Sequence, residues 1–144
     1  MSPVRPSLAD LGAVFLGGMI GATGRVAFAT WFPVLDEAFP WTTFVENVVG
    51  AFLLGAILTI LVRRGAVARR ATLLVGTGVL GSFTTYSTLA VEAEQLVRDG
   101  LAWLALGYGV ASLVAGLLAA GAGILFARQL VPITGDPHAG EGCR

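Results

Sequence analysis

Apolar residues in this chain come in long runs, and the informative measure is how far each run goes without a charged residue. Residues 71–91 form a run of 21 and residues 100–127 a run of 28. About 20 helical residues cross the roughly 30 Å hydrocarbon core of a bilayer, so both runs predict membrane-spanning helices. Two further runs carry one charge each: residues 11–32 contain Arg25 and residues 41–62 contain Glu46. Without Arg25 the first run stops at Gly24 after 14 residues. That is about 21 Å of helix and too short to cross. Arg25 is therefore predicted inside or at the edge of the membrane, and Glu46, near the start of its span, is expected to face interfacial water.

Four spans follow, at about 11–32, 41–62, 71–97 and 100–127. Their connections are short, with Pro33 and Pro40 bracketing the first, four arginines in the second and Arg98-Asp99-Gly100 as the third. Residues 1–10 precede this unit. Residues 129–144, rich in Gly, Pro and charge, are expected to be a disordered tail. Arg5 ahead of an apolar stretch, with Ala27-Phe28-Ala29 after it, has the outline of a cleavable signal. The three later spans make the protein integral either way. The predicted class is an all-α membrane protein of four transmembrane helices.

Composition agrees: 56% of residues are hydrophobic and 12% charged, against about 25% charged in a soluble domain. Nine basic residues balance nine acidic ones, which removes the basic footprint of a nucleic-acid binder. The sole cysteine, Cys143, and sole histidine, His138, lie in the tail. A disulfide framework and a soft-ligand metal site are excluded, and histidine acid–base catalysis has no agent. The sequence is not expected to be an enzyme. The arginines are segregated: Arg5, Arg63, Arg64, Arg69, Arg70 and Arg128 fall on one side and Arg98, with Arg25, on the other. By the positive-inside rule both termini are expected in the cytoplasm of a cell-membrane protein.

Polar groups at membrane depth are costly and mark candidate sites. The third span concentrates them: residues 76–88 hold three glycines and seven hydroxyl side chains. That composition predicts a helix broken or unwound near its middle, tolerated where it is buried in protein or lines a cavity; the alternative is an unbroken helix whose Ser and Thr bond back to their own carbonyls and whose glycines permit close packing. Asn47 adds an amide with two donors and one acceptor, read either as glue that bonds across to a neighbouring helix or as a neutral donor presented to an anion. The fourth span carries a small-residue row, Gly107, Ala111, Ala115, Ala119 and Gly123, read as a packing ridge. Beside it runs Tyr108, Ser112, Gly116 and Ala120, with two hydroxyls on one face. Hydroxyls, an amide and one arginine, with no carboxylate in the middle of a span, favour an anion as the permeant species. A multidrug exporter subunit would need a carboxylate in the first span for proton exchange, and residues 11–32 have none.

Three motifs, in order and at matching spacing, resemble the Fluc/CrcB family of fluoride channels. They are Gly17-Gly18-Met19-Ile20-Gly21-Ala22-Thr23-Gly24-Arg25, Asn47-Val48-Val49-Gly50-Ala51-Phe52, and Gly78-Val79-Leu80-Gly81-Ser82-Phe83-Thr84-Thr85-Tyr86-Ser87-Thr88. The resemblance implies an antiparallel dual-topology dimer with a break in the third helix and fluoride pathways between subunits. It also implies a structural Na+ at the dimer interface, held by main-chain carbonyls at positions matching Gly81 and Thr84. By the same resemblance the pore-lining residues are Asn47, Tyr86, Ser87, Thr88 and Leu89, with Tyr108 and Ser112 on the fourth helix and Arg25 at the vestibule. The family's two pore phenylalanines read Tyr86 and Leu89 here, and leucine has no aromatic ring edge to offer. The arginine bias adds an expectation of one fixed orientation, and with it a heterodimer with a paralogous subunit of opposite orientation rather than a homodimer. A non-conducting partner subunit is the alternative that Leu89 keeps open.

Overall fold

The computed structural model describes residues 6–32, 39–63 and 69–131. Helix α1 spans Leu8–Trp31 and α2 spans Trp41–Arg63. Helix α3 is one rod made of Arg69–Ala71, Thr72–Leu80 and Gly81–Phe83, the middle piece wound as a π-helix. Helix α4 is Tyr86–Arg98 and α5 is Ala102–Leu130. The tail expected to be disordered lies almost wholly outside the described residues.

Four stretches are long and apolar enough to cross a membrane: Leu8–Trp31, Trp41–Arg63, Thr72–Arg98 and Ala102–Leu130. The first begins one turn earlier than its charge-free run because Ser7 caps it. The Ser7 hydroxyl accepts from the Asp10 amide at 3.2 Å, and the Asp10 carboxylate accepts from the Ser7 amide at 3.1 Å. This reciprocal box satisfies two otherwise orphaned donors. Phe15, Ile20, Leu113, Leu117, Leu118 and Leu125 are each more than half exposed. A water-soluble monomer rarely presents so continuous an apolar surface, so lipid or a partner subunit is its proper surrounding.

Glycine sets which helices pair. A Cβ on Gly17 or Gly21 would collide with the main-chain carbonyls of Leu74 and Val79, so α1 and α3 run in backbone contact. Helices α2 and α5 approach the same way, with Gly55 against the Ala120 carbonyl and Gly123 against the Phe52 carbonyl. This is the small-residue packing that substitutes for a hydrophobic driving force in lipid. Both close pairs run parallel. The predicted ridge contributes mainly Gly123, for Gly107 meets open space. The neighbouring row shares the packing, through wholly buried Tyr108 and the Ala120 backbone, although its Gly116 also meets open space.

Both ends of the described chain meet at one end of the bundle. Arg63 donates to the Val131 carbonyl there, and Arg70 lies 3.9 Å from Asp10. Trp31, Trp41 and Trp103 mark the opposite end, all exposed, as tryptophans at a membrane–water interface are.

Candidate functional site

Between α3 and α4 two residues leave helical geometry, Thr84 at φ −73°, ψ 151° and Thr85 at φ −142°, ψ 121°. Counted along α3, they lie roughly 20 Å from the end carrying the termini, near mid-membrane. Such backbone needs substitute partners, because no water is at hand. Asn47 of α2 supplies them. Its Nδ2 donates to the Thr85 carbonyl at 3.0 Å, and its Oδ1 accepts from the Thr85 amide at 2.8 Å. One turn along α2, Gly50 lets the helix pass close by, since a Cβ there would strike the Thr84 methyl and approach the Phe83 ring. Asn47 thus holds Thr85 while Gly50 makes room for Thr84 and Phe83 beside it.

The hydroxyls are arranged around this clamp. Thr85 is buried, and its hydroxyl caps α4 by accepting from the Thr88 amide at 3.2 Å. It also pairs with the Thr88 hydroxyl at 2.9 Å and the Ser87 hydroxyl at 3.2 Å. Thr84 bonds back, amide and hydroxyl alike, to the Leu80 carbonyl.

The predicted site residues divide into two sets. Tyr86, at 83% exposure, Ser87 and Gly81 lie on the outer surface of the subunit, while Thr84 and Thr88 are half-buried. Leu89 instead packs inward on the cluster of Leu96, Ala105 and Tyr108. Tyr108 and Ser112 are on that inner side too, with the Ser112 hydroxyl oxygen buried and without a partner. Arg25 is half-buried on α1, far along the chain from the break. Asn47 is the residue that touches the break itself, and its second Nδ2 hydrogen is uncommitted among these bonds.

Two acidic side chains revise the inventory. Glu46 was expected at the water interface, and the structure instead buries it to 3% exposure. The turn of α2 that points Asn47 at Thr85 rotates Glu46 by about 100°, which in this packing carries it into the bundle. Glu92 was missed because the charge-free run ends one residue before it. Its two oxygens accept from Thr43 and Tyr108, each at 2.7 Å. The signal was available in sequence: Glu92 follows Leu89, Ala90 and Val91, an apolar setting that a solvated carboxylate does not need.

The same clamp bears on the cation expected from the resemblance. A continued helix would send the Thr85 amide to the Gly81 carbonyl and the Thr88 amide to the Thr84 carbonyl. Asn47 takes the first donor and the Thr85 hydroxyl the second. Two neutral main-chain oxygens are thereby released from the ladder, and hard oxygens of this kind suit an alkali or alkaline-earth cation rather than a soft metal. Two such oxygens are of the kind that Na+ takes, and fewer than it needs by themselves. No group of three or more His, Cys, Asp or Glu that could hold a metal occurs among the described residues.

Comparison with known proteins bears on the whole of this region. The family model described as CrcB-like protein, camphor resistance, matches residues 12–124. The chain is 44% identical over 119 residues to a protein of Cutibacterium acnes named fluoride-specific ion channel FluC 1, covering 81% of this chain and 82% of that one. It is 37% identical over 115 residues to fluoride-specific ion channel FluC 2 of Nocardia farcinica, covering 80% and 81%. Fluoride-specific ion channel FluC of Sphingopyxis alaskensis is 38% identical over 122 residues, covering 81% and 94%.

Proposed function

The chain belongs to the CrcB family, and from that premise we propose that it is a subunit of a fluoride-selective channel that exports fluoride passively from the cytoplasm and so relieves fluoride toxicity. The observation that carries this reading is the clamp of Asn47 on Thr85 at mid-membrane, ringed by hydroxyls, in a chain 44% identical to a protein named as a fluoride channel. It is not an enzyme: nothing is transformed, and an inside-negative potential drives anion exit by about 2.3 kcal/mol per 100 mV.

Fluoride is small and strongly hydrated, so its path must offer donors without fixed negative charge. Asn47 offers its second amide hydrogen, Ser87 and Thr88 offer hydroxyls, and Tyr86 presents a ring edge and a hydroxyl at the subunit surface. Arg25 raises the local anion concentration at the vestibule. Tyr108 and Ser112 extend the polar track along α5, and Leu89 flanks it from α4.

The exposed face that carries Gly81, Tyr86 and Ser87 is where a second subunit packs, in antiparallel orientation, with the interruption at Thr84 and Thr85 as the broken third span at the shared axis. The carbonyls of Gly81 and Thr84 would hold a Na+ there, where a positive charge would offset their partial negative charge. The arginine segregation supports a single orientation with cytoplasmic termini, and so a heterodimer. Relatives numbered FluC 1 and FluC 2 are consistent with paired genes. The test is efflux from fluoride-loaded lipid vesicles. The chain with a family member of opposite arginine bias releases fluoride rapidly and the chain alone does not. Robust efflux from the lone chain would remove the heterodimer, and no efflux from the pair would remove the channel.

A further inference from the structure

Glu46 has no part in the path just described, yet it is the most deeply buried carboxylate among the described residues, at 3% exposure, and its Oε1 has no hydrogen-bond partner. A buried polar atom left unpaired is rare and costly. The Ser112 hydroxyl oxygen is the other such atom. Helices α2 and α5 run parallel, with Gly55 at Ala120 and Thr43 sharing Glu92 with Tyr108. That register sets Glu46 level with Ser112. We propose that Glu46 is a buried proton-binding site, its carboxyl O–H bonded toward Ser112, and that emptying this site suppresses fluoride conduction.

The charge count around Glu46 calls for one positive charge. From α1 the charged group facing it is Arg25, and from α4 it is Glu92. From α5 the titratable neighbour is Tyr108, which donates to Glu92. The part of α3 packed on α2 brings hydroxyls and Phe83 but no titratable side chain. Two carboxylates against one guanidinium leave a net single negative charge in an apolar bundle, which is expensive. A proton fits the vacancy better than a metal ion. Both Glu92 oxygens already accept hydroxyl hydrogens. The two Glu46 oxygens and the Ser112 hydroxyl then remain, three at most where a hard cation takes about six oxygen ligands. A carboxyl O–H turned toward Ser112 would give a partner to both atoms, which are unpaired as they stand, and loading is plain proton uptake from water onto the carboxylate.

The coupling to conduction rests on the channel reading, because Glu46 adjoins Asn47 in the chain. A unit charge about 10 Å from the path at an effective dielectric of about 20 lowers anion passage about tenfold. The site itself is read without fluoride. Infrared spectra of the chain in lipid, titrated from acid to alkaline pH, should show a protonated-carboxyl C=O band at neutral pH that is absent in Glu46→Gln and shifted in frequency in Glu46→Asp. No such band at neutral pH, or the same band in both variants, overturns the site. In the vesicle assay with the paired subunit, wild-type efflux should fall about tenfold toward alkaline pH, whereas Glu46→Gln stays at the acid-side rate throughout. An identical pH profile in Glu46→Gln overturns the coupling. Absence of fluoride efflux at every pH overturns the channel reading and the coupling with it, and the infrared result decides the proton site in either case.

Discussion

Replacing Asn47 with Asp separates two roles that one side chain combines. Asp keeps an oxygen for the Thr85 amide, now bonded at 2.8 Å, but sets a second oxygen where Nδ2 had donated to the Thr85 carbonyl at 3.0 Å. The lost donor leaves that carbonyl unpaired, at a cost of about 1–3 kcal/mol. The added charge acts on the ion directly: about 4 Å from a passing fluoride, at an effective dielectric of about 20, the repulsion is about 4 kcal/mol. Since 1.4 kcal/mol is tenfold, efflux should fall about a thousandfold. Asn47→Ala removes both clamp bonds without adding charge. It should lower stability by about 2–4 kcal/mol, toward the small end for bonds in a membrane. The assay is fluoride efflux from vesicles, read by a fluoride electrode, alongside thermal unfolding in detergent. An Asp variant that stays folded and conducts within about twofold of wild type, where the charge argument asks for a thousandfold loss, would refute the placement of Asn47 on the path.

Gly21→Ala puts a methyl into the Val79 carbonyl, a backbone contact that cannot swing aside. It should cost about 1–3 kcal/mol or more, seen as a lower unfolding temperature and loss of a monodisperse peak in size-exclusion chromatography. Tyr108→Phe removes one of the two donors on Glu92. A loss of about 1.5–3 kcal/mol is expected for a bond to a charged group, and an unchanged unfolding temperature would show that bond to be idle. Exchange of Na+ for a bulky organic cation should lower the thermal stability of the assembled channel, with recovery on adding Na+ back. Cys143, the sole cysteine, reports orientation: a membrane-impermeant maleimide should label it only in broken cells, and half-labelling of intact cells would mean two orientations.

Membrane architecture was legible because charge-free length alone determines which runs can span a bilayer. The helix pairing was little legible: Gly17 and Gly21 stood in a motif without being read as a close approach, and on α5 the small-residue row was right at Gly123 alone. Gly107 and its row looked like the ridge, whereas α2 packs on Tyr108 and Ala120. A large buried tyrosine among small residues reads as polar decoration until its hydroxyl finds Glu92. Asn47 was identified as a donor, but its bidentate hold on Thr85 joins positions 38 apart in sequence and leaves no local trace. Glu46 was misplaced for a related reason. Its depth depends on how α2 is rotated, and that rotation is set by Gly50 meeting the Thr84 side chain and Asn47 the Thr85 backbone, a tertiary constraint that a hydropathy count does not contain.

The most direct measurement is paired fluoride and chloride efflux from the same vesicles, carrying this chain with a family member of opposite arginine bias under a K+ diffusion potential. Rapid fluoride release with chloride retained is the expected result. Fluoride retained, or chloride released at a comparable rate, would contradict a fluoride-selective path at Asn47.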